Sequence, residues 1–192
     1  KQFRQKHPQY KFILEVRNRD QLIELLRDGN IDVAIMGLVP KEINTKVYSL
    51  ANHPHVFIAS PSHPLSSIKR IKPAQLGKFE LITRERGSGT RAHMETFLND
   101  HDIEPKIIME MSSNESIKQA VIADLGISFV SRHTLASELK NKELKILDVI
   151  DTPINRKWHV VTLHPTSLNR SVELLKDYII NQTQTILNKL VS

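Results

Sequence analysis

Short apolar runs separated by amphipathic stretches that end in glycine are the feature that most narrows what this chain can become. KFILEVRN is rich in strand formers, NRDQLIELLRDGN sets Leu22, Leu25 and Leu26 on one helical face before Gly29, and IDVAIMG is almost continuously apolar. A run without alternation suits a strand covered on both faces. Strand, helix, strand is a βαβ unit, which predicts a parallel sheet and a right-handed crossover. Asn18 stands just before the helix and Gln21 three positions later, the spacing of a capping box.

The pattern then repeats. HVFIASPSHPL reads as a strand, residues 71–76 as a short helical turn, 79–83 as a strand and 91–98 as a helix. PKIIMEMS is a further strand, NESIKQAVIADLG a helix stopped by Gly126, and ISFVSRHT a strand again. LKILDVIDTPINRKWHVVTLHP alternates apolar with polar residues and predicts two more strands. Towards the end, Leu168, Val172, Leu175, Ile179, Ile186 and Leu190 fall at helical spacing, as in a long amphipathic helix. At the start, KQFRQKHPQY puts Phe3 in a polar helical setting that stops at His7-Pro8, so the sequence begins inside a helix. Repeated βα units with no low-complexity linker predict an α/β protein of two lobes.

Composition removes several classes of function. The chain has 192 residues, 40% apolar and 25% charged, which suits a folded protein with a core. It has no cysteine, which excludes disulfides and thiolate chemistry and fits a reducing cytoplasm. No run is long enough to cross a membrane, and no export signal is present. A net charge of +6 and a pI near 9.5 favour anionic partners, although a basic surface also serves solubility.

The stretch RERGSGTR, residues 84–91, is the strongest local motif. It lacks the lysine of a nucleotide-hydrolase phosphate loop and the three glycines of a dinucleotide fingerprint. Glycines nevertheless let successive amides point into one cavity, Ser88 and Thr90 add hydroxyls, and the helix that follows adds its positive end, which together suit an anion. The competing reading is a loop whose serine and threonine only cap the helix. In MSSNESIKQAV a capping box would use Ser112 and Glu115, leaving Ser113 and Asn114 as polar groups at a helix start. Asn18 and Arg19 open an earlier helix in the same way, with Arg17 adding charge. On a parallel sheet such helix starts gather at the carboxyl ends of the strands, where open α/β sheets bind ligands.

Other chemistries find no support. His53 and His55 are spaced for one face of a strand, but no carboxylate pair at ligand spacing accompanies them or the remaining histidines, so no metal is expected. No serine elbow, catalytic pair or DNA-recognition helix stands out, so neither a catalytic residue nor direct DNA reading is predicted.

FRQKHPQYKFILEVRNRDQLIELLRDGNIDVAIMG, ASPSHPLS, LITRERGSGTR and SSNESIKQAVIADLGISFVSRHTLASEL, in this order, resemble the effector-binding domain of LysR-type transcriptional regulators. Their wording is nearest the branch that controls carbon-fixation operons, with cysteine-biosynthesis and nitrogen regulators more distant. The resemblance implies two Rossmann-like α/β lobes joined by two crossover strands, as in type 2 periplasmic binding proteins. Lobe I would be residues 1–60 plus 164–192 and lobe II residues 61–163, with the effector between them and a hinge at 60–64. The implied effector contacts are Gly37, Leu38 and Val39, running on to Pro40, then Gly87, Ser88, Gly89, Thr90 and Arg91, Ser113 and Asn114, and Phe129, Val130 and Ser131.

The resemblance also implies a cytoplasmic, non-enzymatic sensor whose ligand is a small anion: a phosphorylated sugar, phosphoglycolate or NADPH. The cysteine-like branch would allow sulfate or O-acetylserine. Effector domains would pair as homodimers, through helices 19–28 and 91–98, within a tetrameric full-length protein. DNA would be met only through a winged helix-turn-helix domain that this sequence lacks, with RNA polymerase as a further partner and no membrane contact. The first strand of lobe I and its loop are expected upstream of Lys1. The rival readings are a free-standing solute-binding protein of a transporter and an enzyme built on the same scaffold.

Overall fold

A computed structural model describes residues 2–164 and 168–191, with the side chains at 184 and 186–191 outside that description. Ile186 and Leu190 of the expected amphipathic face therefore lie outside the described side chains. The chain forms two compact units, residues 1–51 with 157–190, and residues 52–156. The expected lobe boundaries at 60/61 and 163/164 fall later than both changeovers. The changeovers lie inside two long strands, β2 (Thr45–Ala59) and β7 (Ile154–Leu163), which run through them without a break.

In unit 1, helix α1 (Gln2–Lys6) buries Phe3, which packs edge-on against Phe12 and Tyr178 with ring centroids 5.2 and 5.1 Å away. Helix α2 (Arg19–Arg27) begins with the expected capping box: Gln21 N donates to Asn18 Oδ1 at 3.0 Å, and Asn18 N to Gln21 Oε1 at 3.3 Å. Its buried residues, Ile23 and Leu26, face inward, and Leu26 packs with Ala34, Met36 and Val161. Strand β1 (Ala34–Met36) pairs antiparallel with β7, Ala34 opposite Val161. Helix α6 (Arg170–Val191) completes the unit.

Two sequence expectations fail here. KFILEVRN forms no strand among the described residues, and Ile13, Leu14 and Val16 are exposed, because apolar content favours a strand while only a neighbouring backbone makes one. The parallel βαβ unit is consequently absent among the described residues, and β1 exposes Ile35 on one face where a doubly covered strand was expected.

Unit 2 follows the expected alternation. Strand β3 (Glu80–Arg84), helix α3 (Gly89–Asp100), strand β4 (Lys106–Met111), helix α4 (Asn114–Ile122) and strand β5 (Ile127–Ser131) succeed one another. β3 lies centrally, parallel to β4 on one side and to β5 on the other. β5 in turn pairs antiparallel with β2, and β6 (Lys145–Ile146) lies antiparallel to β2. Helix α5 (Ala136–Lys140) follows β5.

The two faces of this sheet carry separate cores. α3 covers Phe57, Leu81, Ile127 and Phe129 with Met94, Phe97 and Leu98. α4 covers Val56, Ile58, Ile82 and Val130 with Ile117, Ala120 and Val121. Gly126, at the entry to β5, sits at φ +153°, and a Cβ there would meet the Glu80 carbonyl oxygen at 2.6 Å. The segment implied as a hinge, 60–64, lies in unit 2. Ser60 Oγ donates to Asp124 Oδ1 at 2.6 Å, and His63 Nδ1 accepts from Leu65 N at 3.2 Å.

Candidate functional site

The parallel strands β3 and β5 end side by side at Arg84 and Ser131, and the loop from β3 enters α3 through Gly87, whose φ of +83° suits the absence of a Cβ. Ser88 is the N-cap of α3. It is buried, yet its side chain makes no cap hydrogen bond, so the first amides of the helix have no side-chain acceptor. Gly89 and Thr90 form the opening turn. The Ser88 hydroxyl therefore does not cap its own helix.

Two of the three cations of the motif are engaged, and the third, Arg86, is exposed. Arg84 donates to Glu85 through Nε and Nη2 at 2.7 and 2.9 Å, and through Nη1 to Asn114 Oδ1 at 2.9 Å. Arg91 donates to Glu95 at 2.7 Å, to Glu110 and to the Arg84 carbonyl at 3.2 Å. Bonding to Glu95 first, and to Glu110, holds the Arg91 guanidinium above its ordinary range.

At α4 the expected capping box is displaced by one residue. The cap is Ser113, whose Oγ accepts from Glu115 N and Ser116 N at 3.2 and 3.4 Å, while Ser112 is exposed. Ser113 is thus occupied by its own helix, and Asn114 by Arg84. Phe129 and Ser131 share the α3 face with His55, whereas Val130 points to the α4 core. Gly37, Leu38 and Val39 follow β1 in unit 1, half-buried, with Pro40 buried. In that unit Arg19 is held by Glu42 at 2.7 and 2.9 Å, and Arg17 by Glu15 at 2.7 Å.

Sequence reasoning missed a group that joins this patch. His53, His55, His93 and His133 assemble on the α3 face, with ring centroids 4.1 Å apart for His53–His55, 5.5 Å for His55–His93 and 6.1 Å for His53–His133. Burial, reinforced by the neighbouring imidazoles, lowers His53 to about 2 and His55 to about 3. Strand alternation signalled His53 and His55 as neighbours, but no local pattern signalled His93 or His133. No set of three or more ligating side chains suited to a metal ion occurs among the described residues.

Residues 1–184 match the family model described as the LysR substrate binding domain. The chain is 40% identical over 181 residues to the HTH-type transcriptional regulator CbbR of Sinorhizobium medicae, covering 93% of this chain and 58% of that protein. It is 40% identical over 183 residues to CfxR of Cupriavidus necator, covering 95% and 58%. The chain thus spans well under two thirds of the length of these curated relatives. Among solved structures, the CcmR regulatory domain of Synechocystis in complex with 2-PG superposes with a TM-score of 0.90 at 35% identity, covering 95% of this chain and 88% of that one. The cofactor-binding domain of the Cbl regulator, at 18% identity, shares the fold with a TM-score of 0.81. The architecture is the type 2 periplasmic-binding-protein-like fold of such effector-binding domains.

Proposed function

This chain belongs to the LysR substrate-binding-domain family, and from that premise we propose that it is the sensing part of a transcriptional regulator that binds 2-phosphoglycolate through the opening turn of α3. The observation that carries the reading is Ser88, a buried N-cap serine that leaves its helix uncapped and its amides open to a ligand oxygen. The complex of the CcmR regulatory domain with 2-PG supports the choice of ligand among phosphorylated sugars, phosphoglycolate and NADPH. Gly87, Gly89 and Thr90 would contribute amides and a hydroxyl, and Ser131 a second hydroxyl. Arg91 would act by holding Glu95 and Glu110 clear of the turn.

Ligand binding would favour one lobe arrangement and alter, by linkage, how paired copies present DNA-binding domains carried elsewhere in a longer protein; such coupling is typically ~1–3 kcal/mol. Homodimeric effector domains, a tetrameric full-length regulator, contact with RNA polymerase and a cytoplasmic location belong to the same proposal. Pairing through α2 and α3 would use their exposed faces, because their apolar faces are buried in their own units. Relatives named as transcriptional regulators support a non-enzymatic role and not delivery to a transporter. No helix among the described residues is long and apolar enough to cross a membrane.

Calorimetric titration with 2-phosphoglycolate tests the reading. Saturable binding that weakens in Thr90→Ala is the expected result, and absence of binding by the folded chain would overturn the choice of ligand.

A further inference from the structure

Beneath α3, the strand face of unit 2 changes character along its length. His53, His55 and Phe57 alternate along β2 on one face, and α3 runs beside them with His93 near His55 and Phe97 near Phe57, at ring separations of 5.5 and 5.4 Å. The aromatic end is core. The imidazole end lies towards the first turn of α3, since His93 is one helical turn after Gly89 and Thr90. Across the ladder, Ser131 stands directly opposite His55, and Phe129 stacks on the His55 ring at 5.3 Å. His55 is 0% exposed.

Hydrogen bonding fixes the state of that ring. His55 Nδ1 lies 3.1 Å from the His53 carbonyl oxygen, which can only accept, so Nδ1 carries the proton and donates it. In the neutral ring Nε2 is then a bare lone pair, buried and without a partner, and Ser131 Oγ is likewise buried and without a partner. The other side chains acting on His55 are cationic or imidazole. Arg156 of β7 and the His93 and His133 rings act on His55, His133 acts also on His53, and Arg132 acts on His133. No carboxylate among the described residues acts on His55 or His133. His55 stays neutral while the site is empty, because burial and like charge both oppose its ionisation.

We infer that His55, with Ser131, forms the proton-taking wall of the anion site proposed above, so that each anion bound brings one proton from solvent onto His55 Nε2. The inference rests on that site reading. A ligand oxygen facing the bare Nε2 lone pair is repelled, whereas the same oxygen facing a protonated Nε2 gains a charge-assisted hydrogen bond while the His53 carbonyl keeps the other N–H. The balance is one anion plus one proton, with no covalent bond of the ligand broken. A neutral ligand draws no proton in, so the wall selects by charge. Affinity would fall by up to tenfold for each unit of rising pH, the limit for uptake of one proton.

The test is calorimetry at pH 8 in two buffers of different ionisation enthalpy, with 2-phosphoglycolate and with inorganic sulfate, on this chain and on His55→Leu. At that pH a phosphate monoester, whose second pKa is about 6, has already lost its own proton. Uptake approaching one proton per bound anion, lost in His55→Leu, is the expected result. Should the variant fail to fold, the ¹⁵N shift of His55 Nε2 in the unaltered chain decides, moving from the lone-pair to the protonated position at saturation. Binding of 2-phosphoglycolate with no proton uptake overturns the inference and leaves the proposed function standing. Sulfate binding with uptake, and no response to 2-phosphoglycolate, keeps the inference and removes that ligand. Binding of neither anion overturns both. A zinc titration that saturates in the unaltered chain and not in His55→Leu makes the cluster a metal site and likewise overturns it.

Discussion

Ser88 and Ser113 occupy equivalent places in unit 2, each the N-cap of a helix that follows a parallel strand, and they use their hydroxyls differently. Ser113 accepts from the amides of its own helix, whereas Ser88 is buried and accepts from none of them. The faces behind them differ in the same sense. Under α4, Lys118 and Glu138 form a buried ion pair at 2.6 Å; under α3, imidazoles stand together, with burial holding His53 and His55 neutral. A helix start whose polar groups are satisfied internally holds the fold together, and one whose groups are left open is available to a ligand.

The sharpest break in this comparison is Lys118→Met, which strands a buried carboxylate and should cost about 3 kcal/mol in chemical denaturation. Acid distinguishes the faces next. His53 and His55 fold with depressed pKa values of about 2 and 3 against an ordinary 6.5, so their contribution is complete above pH 6.5 and declines as pH falls towards those values. Each ring should cost about 2 kcal/mol at pH 5, and His55→Leu should recover about that amount relative to its own stability at pH 7.5. Burial pushes the Glu138 carboxyl up, but bonding to Lys118 outweighs it and leaves the group below 4.5, so its contribution declines only at lower pH. The difference between the unaltered chain and His55→Leu in a denaturation series at pH 7.5 and 5 therefore reads His55 without Glu138.

Ser88→Ala should weaken 2-phosphoglycolate binding about tenfold, or ~1.4 kcal/mol. Its melting temperature should hold, since no cap bond is lost. Ser113→Ala should do the reverse, losing about 1 kcal/mol of stability with affinity nearly unchanged. Equal losses of affinity in the two variants would erase the distinction between the helices.

Local rules made most of unit 2 legible. Apolar runs, the N-terminal signals and Gly126 placed β3, α3, β4, α4 and β5 closely, because each depends on residues a few positions apart. They failed at KFILEVRN, where strand formation requires a backbone neighbour that composition does not specify. Of the site, the glycine turn was visible from its residue types, and Asn18 with Gln21 from spacing. That Ser88 leaves its helix uncapped was not visible, since Ser-x-x-Arg and Ser-x-x-Ser look alike until the rotamers are known. The imidazole cluster was hidden for a different reason: His55 meets His93 and His133 through tertiary packing over tens of residues.

Gly126 carries a consequence for the gene. Any single-base missense change in a glycine codon introduces a residue with a Cβ, and at this position that atom would have to lie 2.6 Å from the Glu80 carbonyl oxygen. In a library of random alleles screened for function, codon 126 should therefore tolerate only synonymous substitution.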